Sequence, residues 1–252
     1  MTRRARLEHG RAVRAYLFMR GMLYLGKRFH CPCCEWSLRS FVSGGGSLRR
    51  RPAGYCPRCN AKARHRRVWL HLVRDAQLLG RRGRILHVAP HESLTRAFER
   101  MSTMEDWAID VTPRSGIDVV ATATALPFAA GSFEGVVSIH VLEHLDDDAA
   151  AILEMARVVG QGGWAVVNVP CDWESVTYED AAITTPDDRR AAFGEADHRR
   201  RYGRDLVDRL ARAGFEVTVF LATDLDPRDM DRHGLTSTEH VFACRPVSAG
   251  RP

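Results

Sequence analysis

From residue 84 onward, the chain alternates short apolar runs with segments of helical periodicity. The candidate strands are RILHVA, DWAIDV, IDVV, EGVVSIHVL, WAVVNVP, FEVTVFLA and EHVFACR. The candidate helices between them are SLTRAFERM, DDDAAAILEMARVV and GRDLVDRLARAG, in which apolar residues recur every three or four positions. Strands that alternate with helices predict an α/β fold with a doubly wound sheet, whose ligands bind at the carboxyl ends of the strands.

The N-terminal third of the chain has a different pattern. Helical stripes of apolar residues are predicted over residues 5–27 and 62–79, and they flank a stretch rich in cysteine. A chain of 252 residues can bury one large core and carry a small appendage. We therefore expect a small N-terminal module over residues 1–80 and an α/β domain over residues 81–252.

Charge divides the chain at the same place. Residues 1–80 hold 18 basic side chains against three acidic ones, a net of +15, whereas residues 81–252 carry a net of −9. The basic segment could contact nucleic acid or a membrane surface, or it could dock on the acidic remainder of its own chain or of a second subunit in a homodimer. Because its arginines are scattered through apolar sequence, we expect docking.

The sequence gives no sign of a membrane segment. No apolar run reaches the roughly 20 residues that a membrane helix needs, and the basic N-terminal segment does not have the pattern of a signal peptide. We expect a cytoplasmic protein that makes no membrane contact.

Five of the seven cysteines lie between residues 31 and 59. Cys31 and Cys34 form one C-x-x-C pair, Cys56 and Cys59 form another, and 21 residues separate the pairs. Two such pairs predict a closed tetrahedral set of four thiolates around a structural Zn²⁺, with Cys33 as the spare cysteine. A redox dithiol or disulfides are the alternative, which the absence of a secretion signal disfavours.

The loop after the first strand of the α/β domain reads APHES, where dinucleotide-binding folds have glycines. A pyrophosphate needs backbone N–H groups, yet Pro90 has none, and His91 and Ser93 add bulk. S-adenosylmethionine (SAM) lacks phosphates and suits this loop better. Asp110 follows Ala89 by 21 residues, close to the spacing of a ribose-binding acid, although a purely structural turn remains the alternative.

Several motifs together resemble class I SAM-dependent methyltransferases of the HVLEH type, a group similar to methyltransferase type 11. A bacterial subgroup also has a CPxC…CPRC segment and an RHR motif before the catalytic domain. The matching stretches are RHR (64–66), LPF (126–128), GSFEGVVSIHVLEH (131–144), RVVGQGG (157–163), TYED (177–180), FGEADHRRRYG (193–203) and RLARAGFEV (209–217). The resemblance implies a Rossmann-like seven-stranded methyltransferase sheet, a small zinc-binding module and SAM as the cofactor.

Carried over by position, the resemblance implies which residues meet the cofactor. In this sequence, His87 replaces the usual acid of the first motif, while Ala89, His91 and Ser93 replace glycines. Asp110 keeps the ribose position, and Thr122 takes the place of an adenine-binding acid. The implied cofactor residues are His87, Ala89, His91, Glu92, Asp110, Thr122, Ala123 and His140.

Methyl transfer to a hydroxyl or a protonated amine requires a proton acceptor, and histidine suits this role near neutral pH. The candidates are His140 and His198, with Asp197 or Glu179 as orienting or alternative bases. Residues 171–202 mix aromatic and polar side chains in a long connection, which we expect to form a lid over the substrate.

The sequence thus predicts a methyltransferase that modifies an oxygen or nitrogen of a small molecule in specialised biosynthesis. One alternative substrate is ribosomal or transfer RNA, with the basic zinc module binding phosphates. Another alternative is a non-catalytic zinc-binding interaction protein with a degenerate methyltransferase domain.

Overall fold

The structure is a computed structural model that describes residues 10–43, 54–74, 82–101 and 103–247. Its N-terminal part consists of helix α1 (Gly10–Met22), the antiparallel strands β1 (Leu25–Cys31) and β2 (Trp36–Leu38), and helix α2 (Ala63–Arg74). The helix predicted over residues 5–27 is therefore too long at its C-terminal end, because Leu25–Cys31 pairs with β2. The last residues of the helix predicted over 62–79, and residues 5–9 of the first, lie outside the described residues.

The remaining elements follow the predicted alternation. They are β3 (Gly83–Val88), α3 (Glu92–Glu99), β4 (Met104–Asp110), β5 (Val119–Val120), β6 (Phe133–Ile139), α4 (Asp148–Val158), β7 (Val159–Asn168), β8 (Cys171–Asp172), β9 (Tyr178–Glu179), α5 (Pro186–Phe193), β10 (Arg200–Gly203), α6 (Leu206–Arg212), β11 (Phe215–Phe220), α7 (Pro227–His233) and β12 (Val241–Pro246). Leu142–His144 and Ala222–Asp224 form single 3-10 turns. None of the helices in the described ranges is long and apolar enough to cross a membrane.

Seven strands form one sheet in the order β11–β12–β7–β6–β3–β4–β5, which confirms the predicted fold class. Strands β7, β6, β3, β4 and β5 are parallel, whereas β12 runs antiparallel to both of its neighbours, so the sheet is mixed. The chain proceeds from β3 toward one edge and from β6 toward the other. The switch point between β3 and β6 is where a fold of this kind binds its ligands.

Both faces of the sheet are buried, as the continuous apolar runs predict. Successive residues of β3 point to opposite faces of the sheet. Leu86 and Val88 pack with α4 and α6 on one face, whereas Ile85 packs on the other face. That opposite face is covered by α2, α3 and the cysteine-rich segment, in one cluster that includes Cys31, Trp69 and Trp164. The sequence pattern and the sign of the net charge change near residue 80. Buried residues from both sides of this boundary nevertheless pack in one hydrophobic cluster.

Arg66 fastens the N-terminal part to the α/β domain. Its fully buried guanidinium donates to the carbonyls of His233 at 2.7 Å, Gly234 at 2.7 Å, Ala61 at 2.6 Å and Gly54 at 3.1 Å. Five N–H donors in a planar fork allow one arginine to satisfy several carbonyls at once. Arg66 thus joins α2, the second cysteine loop and the end of α7.

Replacing Arg66 with Met should lower the free energy of unfolding by about 3–5 kcal/mol, because several buried carbonyls would lose their donor. The matched control is Arg67→Met on the same helix, since Arg67 donates to a single carbonyl, that of Phe220. Urea-induced unfolding compares the two variants. An equal loss in both would contradict the role assigned to Arg66.

Residues 171–202 are ordered into small elements. Strands β8, β10 and β9 form a separate three-stranded sheet, and α5 lies between β9 and β10. Arg200 fastens this segment by donating to the carbonyls of Leu142 and Asp146 and to the carboxylate of Glu179. The Tyr202 hydroxyl donates to Asp148 at 2.6 Å. The segment is therefore anchored to the turn and helix that follow β6.

Candidate active site

The two C-x-x-C pairs come together as one cluster of four thiols. One sulfur from each of Cys31, Cys34, Cys56 and Cys59 lies within 4.8 Å of the others. The Sγ atoms of Cys31 and Cys59 are 3.7 Å apart, as are those of Cys34 and Cys56. A Zn–S bond of about 2.3 Å in a tetrahedron places sulfurs about 3.8 Å apart, whereas a disulfide requires about 2.05 Å. The donor set fits Zn²⁺ and not a disulfide.

The backbone of the two pairs is shaped alike. Glu35 and Asn60, each directly after the second cysteine of its pair, have positive φ angles of 60° and 61°. Their N–H groups donate to the carbonyls of Cys31 and Cys56, both at 2.8 Å. The same tight turn therefore aims both thiols of each pair at one point. Cys33 is buried and lies outside this set of four.

The loop after β3 bends sharply at Ala89, whose φ of 47° is a conformation that glycine usually supplies. The Ala89 N–H donates to the Ile109 carbonyl at 2.8 Å. His91 caps helix α3, where its Nδ1 accepts from the Ser93 N–H at 3.3 Å. The ring of His65 stacks on the ring of His91 with centroids 3.9 Å apart, so helix α2 packs directly on this loop.

His87, near the end of β3, and His91, in the loop that follows, both have lowered pKa values. Burial lowers the pKa of His87 to about 3, with a further contribution from His91 and Arg114. His87 is only 1% exposed and packs edge-on against Phe98, so its side chain lies in the core. Burial, followed by the charges of Arg64 and Lys62, lowers the pKa of His91 to about 4.

Asp110 ends β4 and is held by neighbours in its own loop. Its Oδ2 accepts from Arg114 Nη2 at 2.7 Å, and its Oδ1 accepts from the Thr112 N–H at 2.9 Å. A ribose hydroxyl can share this carboxylate, since each oxygen has two lone pairs. Thr122 Oγ1 accepts from the Thr124 N–H at 3.3 Å, and the neighbouring Ala123 is buried. Glu92 is paired with Arg96 in the first turn of α3.

A cavity of about 960 Å³ opens over the ends of β6 and β7. Its wall includes Trp173 and Asp197 from the segment over the strand ends, Lys62 from just before α2, and Arg64 from the first turn of α2. Among the predicted cofactor residues, only His140 lines it. The cavity is large enough for a small organic molecule.

His140 stands directly after β6, at the switch point of the sheet. Its φ of 53° is strained for a histidine, and its N–H donates to the Asn168 carbonyl at 2.7 Å. Nδ1 lies 3.1 Å from Glu143 Oε1, and Nε2 lies 3.8 Å from Glu239 Oε2. Burial lowers the pKa of His140, but the carboxylates of Glu143 and Glu239 outweigh burial and raise it above its ordinary value.

Two of the other predicted bases line the cavity, and one does not. His198 is buried, with its ring 4.8 Å from that of His144, and the largely exposed Asp197 lies 3.3 Å from His144 Nδ1. Glu179 does not line the cavity, because its carboxylate accepts from both Arg200 and Arg209. The structure therefore places Glu179 in an ion-pair network that anchors the segment over the cavity.

The sequence-based prediction missed Glu143, Glu239, Lys62 and Arg64. The signal for Glu239 was its position just before the final strand, because the antiparallel β12 starts at the edge where the parallel strands end. The signal for Lys62 and Arg64 was weaker, since their place in the cavity depends on how α2 packs on the loop after β3.

Known proteins resemble this chain in part of its sequence and in its fold. Residues 76–167 match the family model described as a methyltransferase domain. No curated protein matches the sequence at a significant level. Several solved structures share the fold, and their identities of 14–16% show the fold alone.

Three of these structures illustrate the range of that fold. The 1,6-didemethyltoxoflavin N1-methyltransferase of Burkholderia thailandensis, with S-adenosylhomocysteine bound, is 16% identical over 70% of this chain and 76% of its own, with a TM-score of 0.50. A chain from a Haloferax volcanii complex between a methyltransferase and the activator Trm112 is 14% identical, over 72% of this chain and 91% of its own, with a TM-score of 0.50. The [4+2]-cyclase SpnF is 15% identical, over 83% of this chain and 88% of its own, with a TM-score of 0.52.

The seven-stranded sheet has the Rossmann-like fold that these methyltransferase structures share. The match over residues 76–167 identifies that part of the chain as a methyltransferase domain.

Proposed function

We propose that this protein transfers a methyl group from SAM to an oxygen or nitrogen of a small-molecule acceptor, as part of a biosynthetic pathway. The observation that carries the proposal is the cavity of about 960 Å³ with His140 in its wall at the switch point. The Burkholderia enzyme, with its small-molecule acceptor and S-adenosylhomocysteine bound, supports this acceptor class by analogy of fold.

Residues at the end of β4 and just after β5 are suited to hold the cofactor. Asp110 offers carboxylate oxygens to the ribose hydroxyls, and the backbone at Thr122 and Ala123 offers polar groups to the adenine. SAM supplies a methyl group on a sulfonium, which is electrophilic without help from the protein. What the chain adds is alignment of the acceptor and removal of its proton.

His140 is suited to remove that proton. The Glu143 carboxylate beside Nδ1 favours the tautomer with hydrogen on Nδ1, which leaves Nε2 as the proton acceptor. Glu143 is buried, so it holds the imidazole in place and stabilises the imidazolium that forms. This arrangement matches the orienting role of a carboxylate next to a catalytic histidine.

The proposal includes a structural Zn²⁺ at Cys31, Cys34, Cys56 and Cys59. Four thiolates fill a tetrahedral shell and leave no open position for substrate, so this metal would brace the fold and not take part in methyl transfer. A cytoplasmic location, where thiols stay reduced, suits the cluster.

RNA as the acceptor has less support in the structure, because several arginines in the described part of the basic segment contact other residues of the chain. Arg74 pairs with Asp229, and Arg14 lies 3.8 Å from Glu99, so both lie next to carboxylates of the acidic domain. Arg58 packs over the rings of Phe18 and Trp36 within the basic segment itself. The two contacts with carboxylates support docking of the basic segment on the acidic domain.

The acceptor class can be tested with SAM labelled in its methyl group. The protein is incubated with a small-molecule extract and, separately, with total RNA from the same cells. We expect His140-dependent label in the small-molecule fraction. Label in RNA alone would replace this proposal with the RNA alternative, and no transfer to either fraction would count against catalysis.

A further inference from the structure

We infer that Arg64, from the N-terminal module, binds the carboxylate at the methionine end of SAM. The cysteine-rich part of the chain then supplies a cofactor residue as well as structural support. The inference rests on the proposed function, since it concerns how that cofactor is held.

The loop after β3 cannot bind a carboxylate in the usual way. A glycine-rich loop offers free backbone N–H groups to an anion, but here the Ala89 N–H is bonded to Ile109 and Pro90 has none. The Ser93 N–H is occupied by the His91 side chain. Ala89, Pro90 and Ser93 therefore offer a carboxylate no free backbone N–H, and a side chain from another part of the chain can supply the donor.

Helix α2 places Arg64 next to this loop. Arg64 lies in the first turn of α2, and the adjacent His65 stacks on His91 with ring centroids 3.9 Å apart. Arg64 and His140 line the same cavity, and the charge of Arg64 is close enough to lower the pKa of His140, so Arg64 lies near the switch point. This is the position that the methionine end must occupy if the methyl group is to lie near His140.

Arg64 differs from the arginines that follow it. Arg66 donates to several backbone carbonyls, and Arg67 donates through Nη2 to the carbonyl of Phe220. The Nε of Arg64, like that of Arg67, is buried without a hydrogen-bond partner among the described residues, but of the two only Arg64 lines the cavity. Leaving a buried donor unsatisfied costs free energy unless a ligand satisfies it. An arginine fork pairs well with a carboxylate, through two parallel hydrogen bonds.

The charges around Arg64 suit an amino-acid zwitterion better than a simple anion. Glu143 and Glu239 are close enough to act electrostatically on Arg64, and Lys62 is a second cation beside it. Glu239 faces the cavity together with Arg64. A ligand with a carboxylate and an ammonium group can meet both signs of charge at once, as the methionine end of SAM does.

The test is calorimetric titration of wild type and Arg64→Met with two ligands. S-adenosylhomocysteine carries the amino-acid end, whereas 5′-methylthioadenosine has the same nucleoside without it. We expect Arg64→Met to bind S-adenosylhomocysteine about 10- to 100-fold more weakly and 5′-methylthioadenosine as tightly as wild type. Arg64→Lys retains the positive charge, so it should bind S-adenosylhomocysteine more tightly than Arg64→Met does and more weakly than wild type does.

Arg74→Met is the matched control, because it removes a cation from the same helix outside the cavity, and it should leave both affinities unchanged. Binding of 5′-methylthioadenosine by Arg64→Met also shows that the variant is folded. Equal affinity of Arg64→Met and wild type for S-adenosylhomocysteine, or an equal loss for both ligands, would overturn the inference. If wild type binds neither ligand, the proposed function itself fails.

Discussion

Replacing Cys31 with Ser should release zinc from the purified protein and lower its melting temperature by more than about 10 °C. A structural Zn²⁺ contributes on the order of 10 kcal/mol in small zinc domains, and 1 kcal/mol corresponds to roughly 2–4 °C in a chain of this size. The effect should reach the α/β domain, because Cys31 and Cys56 share a buried cluster with Phe98 and Trp164. Metal content by plasma emission spectrometry and thermal unfolding measure the two effects.

Cys33→Ala is the matched control for this prediction. Cys33 is fully buried next to Cys34 but lies outside the set of four sulfurs, so the variant should retain one zinc per chain. Cys56→Ser should behave like Cys31→Ser, since each removes one ligand of the same site. Wild-type protein without metal, or full metal content in Cys31→Ser, would rule out the four-thiolate site.

Replacing His140 with Gln should reduce methyl transfer by about 10²- to 10⁴-fold, the usual contribution of a positioned general base. Binding of S-adenosylhomocysteine should change much less, because the predicted ribose contact at Asp110 is untouched. The variant is assayed with the acceptor fraction labelled by wild-type protein. A turnover rate equal to that of wild type would remove His140 from the chemistry.

The pH profile gives a second measure of His140. A protonated imidazole cannot accept a proton, so the rate should fall as pH decreases through a pKa raised above the ordinary histidine value of about 6.5. Burial and, to a smaller extent, the charge of Arg64 oppose this rise in the pKa of His140, whereas the carboxylates of Glu143 and Glu239 cause it. Glu143→Gln should therefore move the acidic limb of the profile to lower pH. An acidic limb that stays in place would show that Glu143 does not tune His140.

Much of this architecture was predictable because local sequence patterns determine it. The strand at residues 133–139 is mostly apolar because all of its residues except Glu134 are buried, and the helix at 148–158 has Asp147 as its N-terminal cap. The sulfur cluster was predictable for a similar reason, since C-x-x-C spacing fixes the geometry within each pair.

What the sequence could not reveal depends on packing between distant segments. Arg114 forms an ion pair with Asp110 in the loop after β4, and no sequence motif predicts that contact. His87 matches a family position that meets the cofactor, yet burial turns its ring toward Phe98. The position of Arg64 depends on the stacking of His65 on His91, which joins two segments with no shared periodicity.

The central claim is that the switch point between β3 and β6 binds SAM. The most direct measurement is isothermal calorimetry of the wild-type, zinc-loaded protein with SAM and S-adenosylhomocysteine. The structure predicts one site per chain for each ligand, with weaker binding when Asp110 is replaced by Ala. No binding of either ligand at roughly 1 mM, where even an interaction of about −4 kcal/mol is detected, would contradict the claim.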